Sequence, residues 1–172
     1  MNIKPLAALS CLYLIGCASL HSSAPTAVAK LAPTAGNKTT GAVTFIQRGD
    51  KVHVEGNIAG LAPGQHGFHV HEKGDCSAPD ATSAGSHFNP SSKQHGNIAG
   101  GERHGGDLGN LTADSNGNAT INVDIEGVSA KPGEANSVVG RGLIVHADPD
   151  DFKTQPTGNS GKRLACAVVT AK

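Results

Sequence analysis

The sequence predicts an all-β domain, a sandwich or flattened barrel with Greek-key connections. Three observations point to this class. Short segments alternate apolar and polar residues, turn-forming clusters separate them, and no stretch sustains a helical period. Composition agrees, with 23 Gly and 9 Pro against only 3% aromatic residues and no Trp. Val43 and Phe45 share one face of a first strand, and Val52 and Val54 repeat the pattern after the Gly49-Asp50 turn. Ile121, Val123 and Ile125 do the same after Asn116-Gly117-Asn118. Further strands are expected around residues 67–72, 140–146 and 163–170. Residues 73–109 differ. They show no period and hold three His among eight Gly, and a loop of such length inside a compact domain is functional or disordered.

A chain of 172 residues fits one domain of ordinary size. Lys and Arg number 14, Asp and Glu 14, so no net charge favours nucleic acid or an anionic membrane surface. Partners must then be sought at local sites. Nine His in so short a chain is the unusual feature, because a neutral imidazole is a ready metal ligand.

Residues 1–16 read as a signal peptide: Lys4 precedes an apolar run from Leu6 to Ile15 that is too short to span a bilayer. The run ends in Leu14-Ile15-Gly16-Cys17, which resembles the lipobox of bacterial lipoproteins and makes Cys17 the lipidated residue. Cleavage at Ala27-Val28-Ala29 is the alternative, though it lies far from the apolar run. Residues 17–39 then form a lipidated Cys and a flexible tether rich in Ala, Ser, Pro and Thr, and residues 40–172 form the domain. This places the protein in the periplasm or cell envelope, held to the membrane by an N-terminal lipid anchor. Ser19 leans toward the outer membrane. Cys11 leaves with the signal and Cys17 takes the lipid, so Cys76 and Cys166 remain and are expected to pair in an oxidising compartment. Two buried free thiols are the alternative.

In Gly67-Phe68-His69-Val70-His71, two His stand two apart on an expected strand and therefore point to the same face. His146 ends a second strand, with Leu143 and Val145 facing the core. The long loop adds His87, His95, His104 and Asp107. Three imidazoles and a carboxylate suit zinc, which accepts N and O donors without a geometric preference of its own. A solvated Gly/His-rich loop that binds metal weakly is the plainer alternative.

The segments Gly67-Phe68-His69-Val70-His71-Glu72, Gly85-Ser86-His87-Phe88-Asn89-Pro90, His104-Gly105-Gly106-Asp107-Leu108-Gly109-Asn110 and Gly161-Lys162-Arg163-Leu164-Ala165-Cys166 resemble signature segments of the Cu/Zn superoxide dismutase family. The similarity runs from about Gly41 to the C-terminus. It implies an immunoglobulin-like Greek-key β-sandwich with long metal-binding loops, and one Cu and one Zn per subunit. The copper ligands it implies are His69, His71, His87 and His146. The zinc ligands are His87, His95, His104 and Asp107, with His87 as the bridge. Cys76 and Cys166 match the family disulfide. Asp150 aligns with a carboxylate that bonds ligands of both metals, and Asp148, Asp151 or a plain acidic turn are the alternatives. His66 reads as structural, on the strand face opposite His69 and His71, while His53 and His21 are expected to face solvent.

The resemblance further implies dismutation of superoxide to O₂ and hydrogen peroxide through a copper that cycles between Cu(II) and Cu(I), an antioxidant activity in the cell envelope. His87 would pass a proton and Arg163 would attract the anionic substrate. Residues 152–162 form a shorter loop than in eukaryotic members and lack their acidic residues. The main rival is a non-enzymatic periplasmic copper/zinc-binding module on the same fold, which would need the ligands but not Arg163. A copper chaperone would carry a Cys-x-x-Cys domain that this chain does not show. The sequence leaves a homodimer open.

Overall fold

Alternating apolar residues pair into nine strands and one short 3-10 turn in the structure, a computed structural model that describes residue 24 and residues 26–172. The signal peptide 1–16, Cys11, Cys17 and His21 lie outside the described residues. The strands are β1 (Thr26–Pro33), β2 (Thr40–Arg48), β3 (Lys51–Ala59), β4 (Gly64–His71), β5 (Asp107–Ala113), β6 (Ala119–Ile125), β7 (Gly142–His146), β8 (Arg163–Val168) and β9 (Thr170–Ala171). Their order is β5-β4-β7-β8-β1-β2-β3-β6, with β9 added to β1, and every pairing is antiparallel. The chain crosses from one half to the other between β3 and β4 and returns between β5 and β6. These crossings make the expected Greek-key connections of a nearly closed barrel.

The alternation predicted for Val43/Phe45, Val52/Val54 and Ile121/Ile125 buries these residues inside the barrel with Phe68, Val70, Leu143 and Val145. Each such side chain contributes about 1.5–3 kcal/mol by leaving water. At the β5–β6 turn, Gly117 takes φ 78°, a left-handed conformation that few side chains tolerate. Cys76 and Cys166 are bonded, and Ala81, Ala84 and Ile144 pack around them outside the main core. This link closes 90 residues, which by loop entropy constrains the unfolded chain by about 4–5 kcal/mol at most.

Three expectations are corrected. The tether assigned to residues 17–39 does not extend through residues 26–33, which form β1 between β2 and β8. Ala27, Ala29 and Leu31 are buried there. Small residues gave this segment the composition of a linker, yet their alternation fills the crowded space between two strands. β5 begins at Asp107, inside the span read as loop, because its ladder to β4 supplies an order that its Gly-rich sequence does not advertise. His53 is buried rather than solvent-facing. Its cross-strand partner is Asp124, whose Oδ1 lies 2.8 Å from Nδ1, and Glu55 Oε2 lies 3.4 Å from Nε2. A single strand read alone cannot reveal a cross-strand partner.

Because β1 is central, a chain beginning at Lys30 is expected not to fold, whereas one beginning at Cys17 or Ser19 should. Far-ultraviolet circular dichroism and a cooperative denaturant transition check this. A cooperatively folding chain that starts at Lys30 would show β1 to be dispensable.

Candidate metal centre

Two strands and one long loop carry the histidines that come together. On β4, His69 and His71 project from the face opposite Phe68 and Val70, as the two-residue spacing requires, with a register shift between Gly67 and His69. β7 lies alongside and ends at His146, whose partner on β8 is Arg163. The loop between β4 and β5 is fastened back onto β4 by its own backbone. Phe88 N–H donates to the Val70 carbonyl, Val70 N–H to Gly106 and Gly106 N–H to Phe88, each at 2.8 Å. These bonds set His87 and Asp107 beside the β4 histidines, where His87 also bridges to His71.

The result is two groups that share one residue. His69, His71, His87 and His146 form the first, and His87, His95, His104 and Asp107 the second. Within each group the potential donor atoms lie within 4.8 Å of one another, and all seven residues are buried. Every histidine and the aspartate singled out in the sequence as ligands is therefore brought together.

Most of the rings use one nitrogen on the protein and leave the other aimed inward. His71 Nδ1 donates to the Gly85 carbonyl at 2.9 Å, and His146 Nδ1 to Gly161 at 3.3 Å. The Nε2 atoms of these two rings then face each other at 3.4 Å. Asp150, buried, accepts from His69 Nε2 at 2.8 Å and from His95 Nε2 at 2.9 Å. One carboxylate thus ties a ring of the first group to a ring of the second, and Asp148 and Asp151 do not take this place. Asn110, on β5, holds Asp150 in turn, accepting its N–H at 2.8 Å and donating to its carbonyl at 2.9 Å. The sequence by itself gives Asn110 and Gly85 no role, since a backbone carbonyl or a peptide clamp leaves no mark in a one-dimensional pattern. His66 is structural, as expected: Nδ1 lies 2.9 Å from the His146 carbonyl and Nε2 2.8 Å from that of Ala62.

Whether metals fit can be tested on the nitrogens left over. His69 Nδ1, His87 Nε2, His95 Nδ1 and His104 Nδ1 are buried without a hydrogen-bond partner. Buried polar atoms are rarely abandoned, so four in one cluster call for a partner other than protein. Asp107 Oδ1 lies 2.9 Å from His87 Nδ1, 3.0 Å from His95 Nδ1 and 3.5 Å from His104 Nδ1. The His95 and His104 contacts are short without having the direction of a hydrogen bond. Tetrahedral donors at zinc distances stand roughly 3.3 Å apart, which is the size of this cage. Asp107 Oδ2 accepts the N–H of His104 at 2.9 Å and of Gly96 at 3.2 Å, which fixes the carboxylate. The N₃O group fits zinc, and the four-imidazole group fits copper, which favours nitrogen donors.

Electrostatics divide the two groups. Burial holds His69 down to about 4 despite Asp150, and it holds His71 and His146 well below the ordinary imidazole range, helped by neighbouring imidazoles and by the charge of Arg163. At His95 burial acts the same way, but contacts with Asp107 and Asp150 outweigh it and lift the ring to about 9. Burial raises the carboxyls of Asp107 and Asp150, yet the adjoining imidazoles prevail and both lie well below the usual range.

Arg163 is half-buried beside the first group. Nη1 donates to the Ala81 carbonyl and Nη2 to that of Gly85, both at 2.6 Å. The Gly85 carbonyl therefore joins Arg163 to His71. With Lys162, Thr34, Asn37, Asp80 and Thr82, Arg163 lines an open groove. Each Nη carries a second N–H beyond these two bonds.

The chain matches a family model described as copper/zinc superoxide dismutase over residues 39–169. Among solved structures it is similar to the crystal structure of the clock protein EA4, at 40% identity and a TM-score of 0.78. That likeness covers 87% of this chain and 96% of the other. The matched span holds β2 through β8 and all seven buried residues of the paired groups, and this chain belongs to the copper/zinc superoxide dismutase family.

Proposed function

We propose that this protein is an exported superoxide dismutase that converts two superoxide ions and two protons into O₂ and hydrogen peroxide. The observation that carries the reading is the set of four buried, unpartnered ring nitrogens spread over two groups that share His87. Copper, held by His69, His71, His87 and His146, would supply one-electron cycling, while zinc, held by His87, His95, His104 and Asp107, would supply fixed charge and order. The remaining chemistry falls to the chain. Arg163, unable to lose its charge at any relevant pH, draws the anion into the groove and orients it. His87 Nε2, buried and without a protein partner, takes a proton and returns it to the developing peroxide. Asp150 fixes the tautomers of His69 and His95 by accepting from the Nε2 of each, leaving both Nδ1 atoms as donors to metal. A non-enzymatic metal-binding module would have no use for a guanidinium braced by two carbonyls at the rim. The decisive experiment is metal analysis of the purified domain with superoxide decay followed before and after selective copper removal. Activity that persists without copper would overturn the assignment.

Three further outcomes follow from the same reading. In the metal-free protein His95 is held up to about 9, so it carries a proton at pH 7 that zinc must displace. Zinc uptake at pH 7 should release about one proton, and affinity should rise by about tenfold per pH unit before levelling above pH 9. Calorimetry in buffers of different ionisation enthalpy measures this, and proton-neutral uptake would show that His95 carries no proton at pH 7 before zinc binds.

Reversing the charge in Arg163→Glu should slow superoxide decay by roughly 10–10³-fold at equal copper occupancy. Raising salt should slow the wild type and leave the variant unchanged or faster. Arg163→Lys, which keeps the charge but loses the fork, should retain the wild-type sign of salt dependence. Parallel salt responses in wild type and Arg163→Glu would eliminate steering.

We also propose that Cys17 carries a lipid and that residues 1–16 are removed on export, with the outer membrane favoured. Cys17→Ser should then abolish membrane fractionation and leave either a soluble active domain or an unprocessed precursor. A processed variant that still pellets with membranes would contradict the anchor.

A further inference from the structure

The peptide of His95 is held in an unusual way. Its N–H donates to Gln155 Oε1 at 2.9 Å, and its carbonyl accepts from Gln155 Nε2 at 2.9 Å. One side-chain amide thus satisfies both backbone polar groups of one residue, as a neighbouring strand would. The need is local. The metal loop is fastened to β4 at Phe88 and Gly106, but at His95 no backbone hydrogen bond is made among the described residues. His95 is buried all the same.

We propose that Gln155 is a positioning residue of the zinc-side group, clamping the His95 peptide and coupling metal binding to the order of the segment that leads into Arg163. This inference rests on the functional reading above and names a residue that reading does not use. Residues 150–158 are built to present the amide. Asp151 accepts from the N–H groups of Lys153 and Thr154 at 2.9 and 2.8 Å, and Gly158 N–H donates to the Thr154 carbonyl at 2.7 Å. Phe152 N–H donates to Asp150 Oδ1 at 2.7 Å. Gly158 adopts φ 65° where a Cβ would overlap both Asp150 Oδ1 and His95 Nε2, so the turn closes directly over the bond between them.

His95 is therefore gripped twice from one short segment, at Nε2 by Asp150 and at the peptide by Gln155. Each grip removes a different freedom. Asp150 sets the ring's tautomer and direction, while Gln155 sets where its Cα stands, and Nδ1 reaches Asp107 only if both are right. The same segment continues into β8, with Asp148 N–H bonded to the Ser160 carbonyl at 3.0 Å and Ala147 N–H to that of Lys162 at 2.8 Å. Zinc that fixes His95 thereby orders residues 151–158. By linkage an ordered segment raises zinc affinity by the same factor.

The test uses the purified mature protein with Gln155→Ala and Gln155→Glu. Glu retains an acceptor for the His95 N–H but has no donor for its carbonyl when ionised. Competition with a chromophoric chelator should show zinc binding weakened by about 10–100-fold in Gln155→Ala, with a smaller loss in Gln155→Glu. Cobalt(II) in the zinc position should show an altered visible spectrum in Gln155→Ala, which a remote packing defect would not produce. Zinc should protect the amides of residues 151–158 from hydrogen exchange in the wild type and not in Gln155→Ala, while the barrel amides stay unchanged. Wild-type protein that takes up no zinc would overturn the functional reading and this inference with it. Normal wild-type uptake with Gln155→Ala affinity within twofold, or protection of residues 151–158 that is indifferent to zinc, would overturn this inference alone.

Discussion

A buried imidazole has two nitrogens and can satisfy neither with water, so whatever binds one decides what the other can do. The centre of this protein is organised by that constraint. Gly85 and Gly161 engage the Nδ1 atoms of His71 and His146 and turn their Nε2 atoms inward. Asp150 engages the Nε2 atoms of His69 and His95 and turns their Nδ1 atoms inward. His87 sets Nδ1 2.9 Å from Asp107 Oδ1 and leaves Nε2 without a protein partner, and it belongs to both groups.

The barrel exists in this picture to hold carbonyls and carboxylates where the rings need them. β7 is buried along its length and β4 from His66 to His71, and the two are positioned by ladders to β5 and β8. Gly85 lies on the loop that the Cys76–Cys166 bond fastens to β8, and its carbonyl receives both His71 and Arg163. Covalent closure, ring orientation and the placement of the Arg163 guanidinium are consequently set by a single short stretch of chain. Displacing that stretch would disturb all three together.

Charge is distributed as unevenly as geometry. In the first group, burial and mutual repulsion push the His71 and His146 rings well below the ordinary imidazole range, with Arg163 adding to the effect. The second concentrates two ionised carboxylates around His95 and keeps it protonated until a stronger cation arrives. Neutral nitrogen donors beside an arginine and a carboxylate-rich cage beside them are different environments within a few ångströms. Placing them on opposite sides of His87 lets one residue experience both.

Much of this was legible in the sequence, and for physical reasons. The period of two put His69 and His71 on one strand face, and the same period marked the core at Val43, Phe45, Val52 and Val54. The loop histidines and Asp107 stood out because a Gly-rich stretch with nothing apolar to pack needs another source of order. Alternation and donor chemistry are properties of neighbouring residues, so the sequence by itself determined the strands that alternate clearly and the types of donor available on them and on the long loop. Tertiary structure alone decided the rest. That Thr26–Pro33 is a strand depends on β2 and β8 lying on either side of it. That His53 is buried depends on Asp124 across the ladder. That Gly85, Asn110 and Gln155 hold the centre depends on contacts reaching from 14 to 60 residues along the chain. Such partners are chosen by how the sheet closes, and no local pattern encodes them.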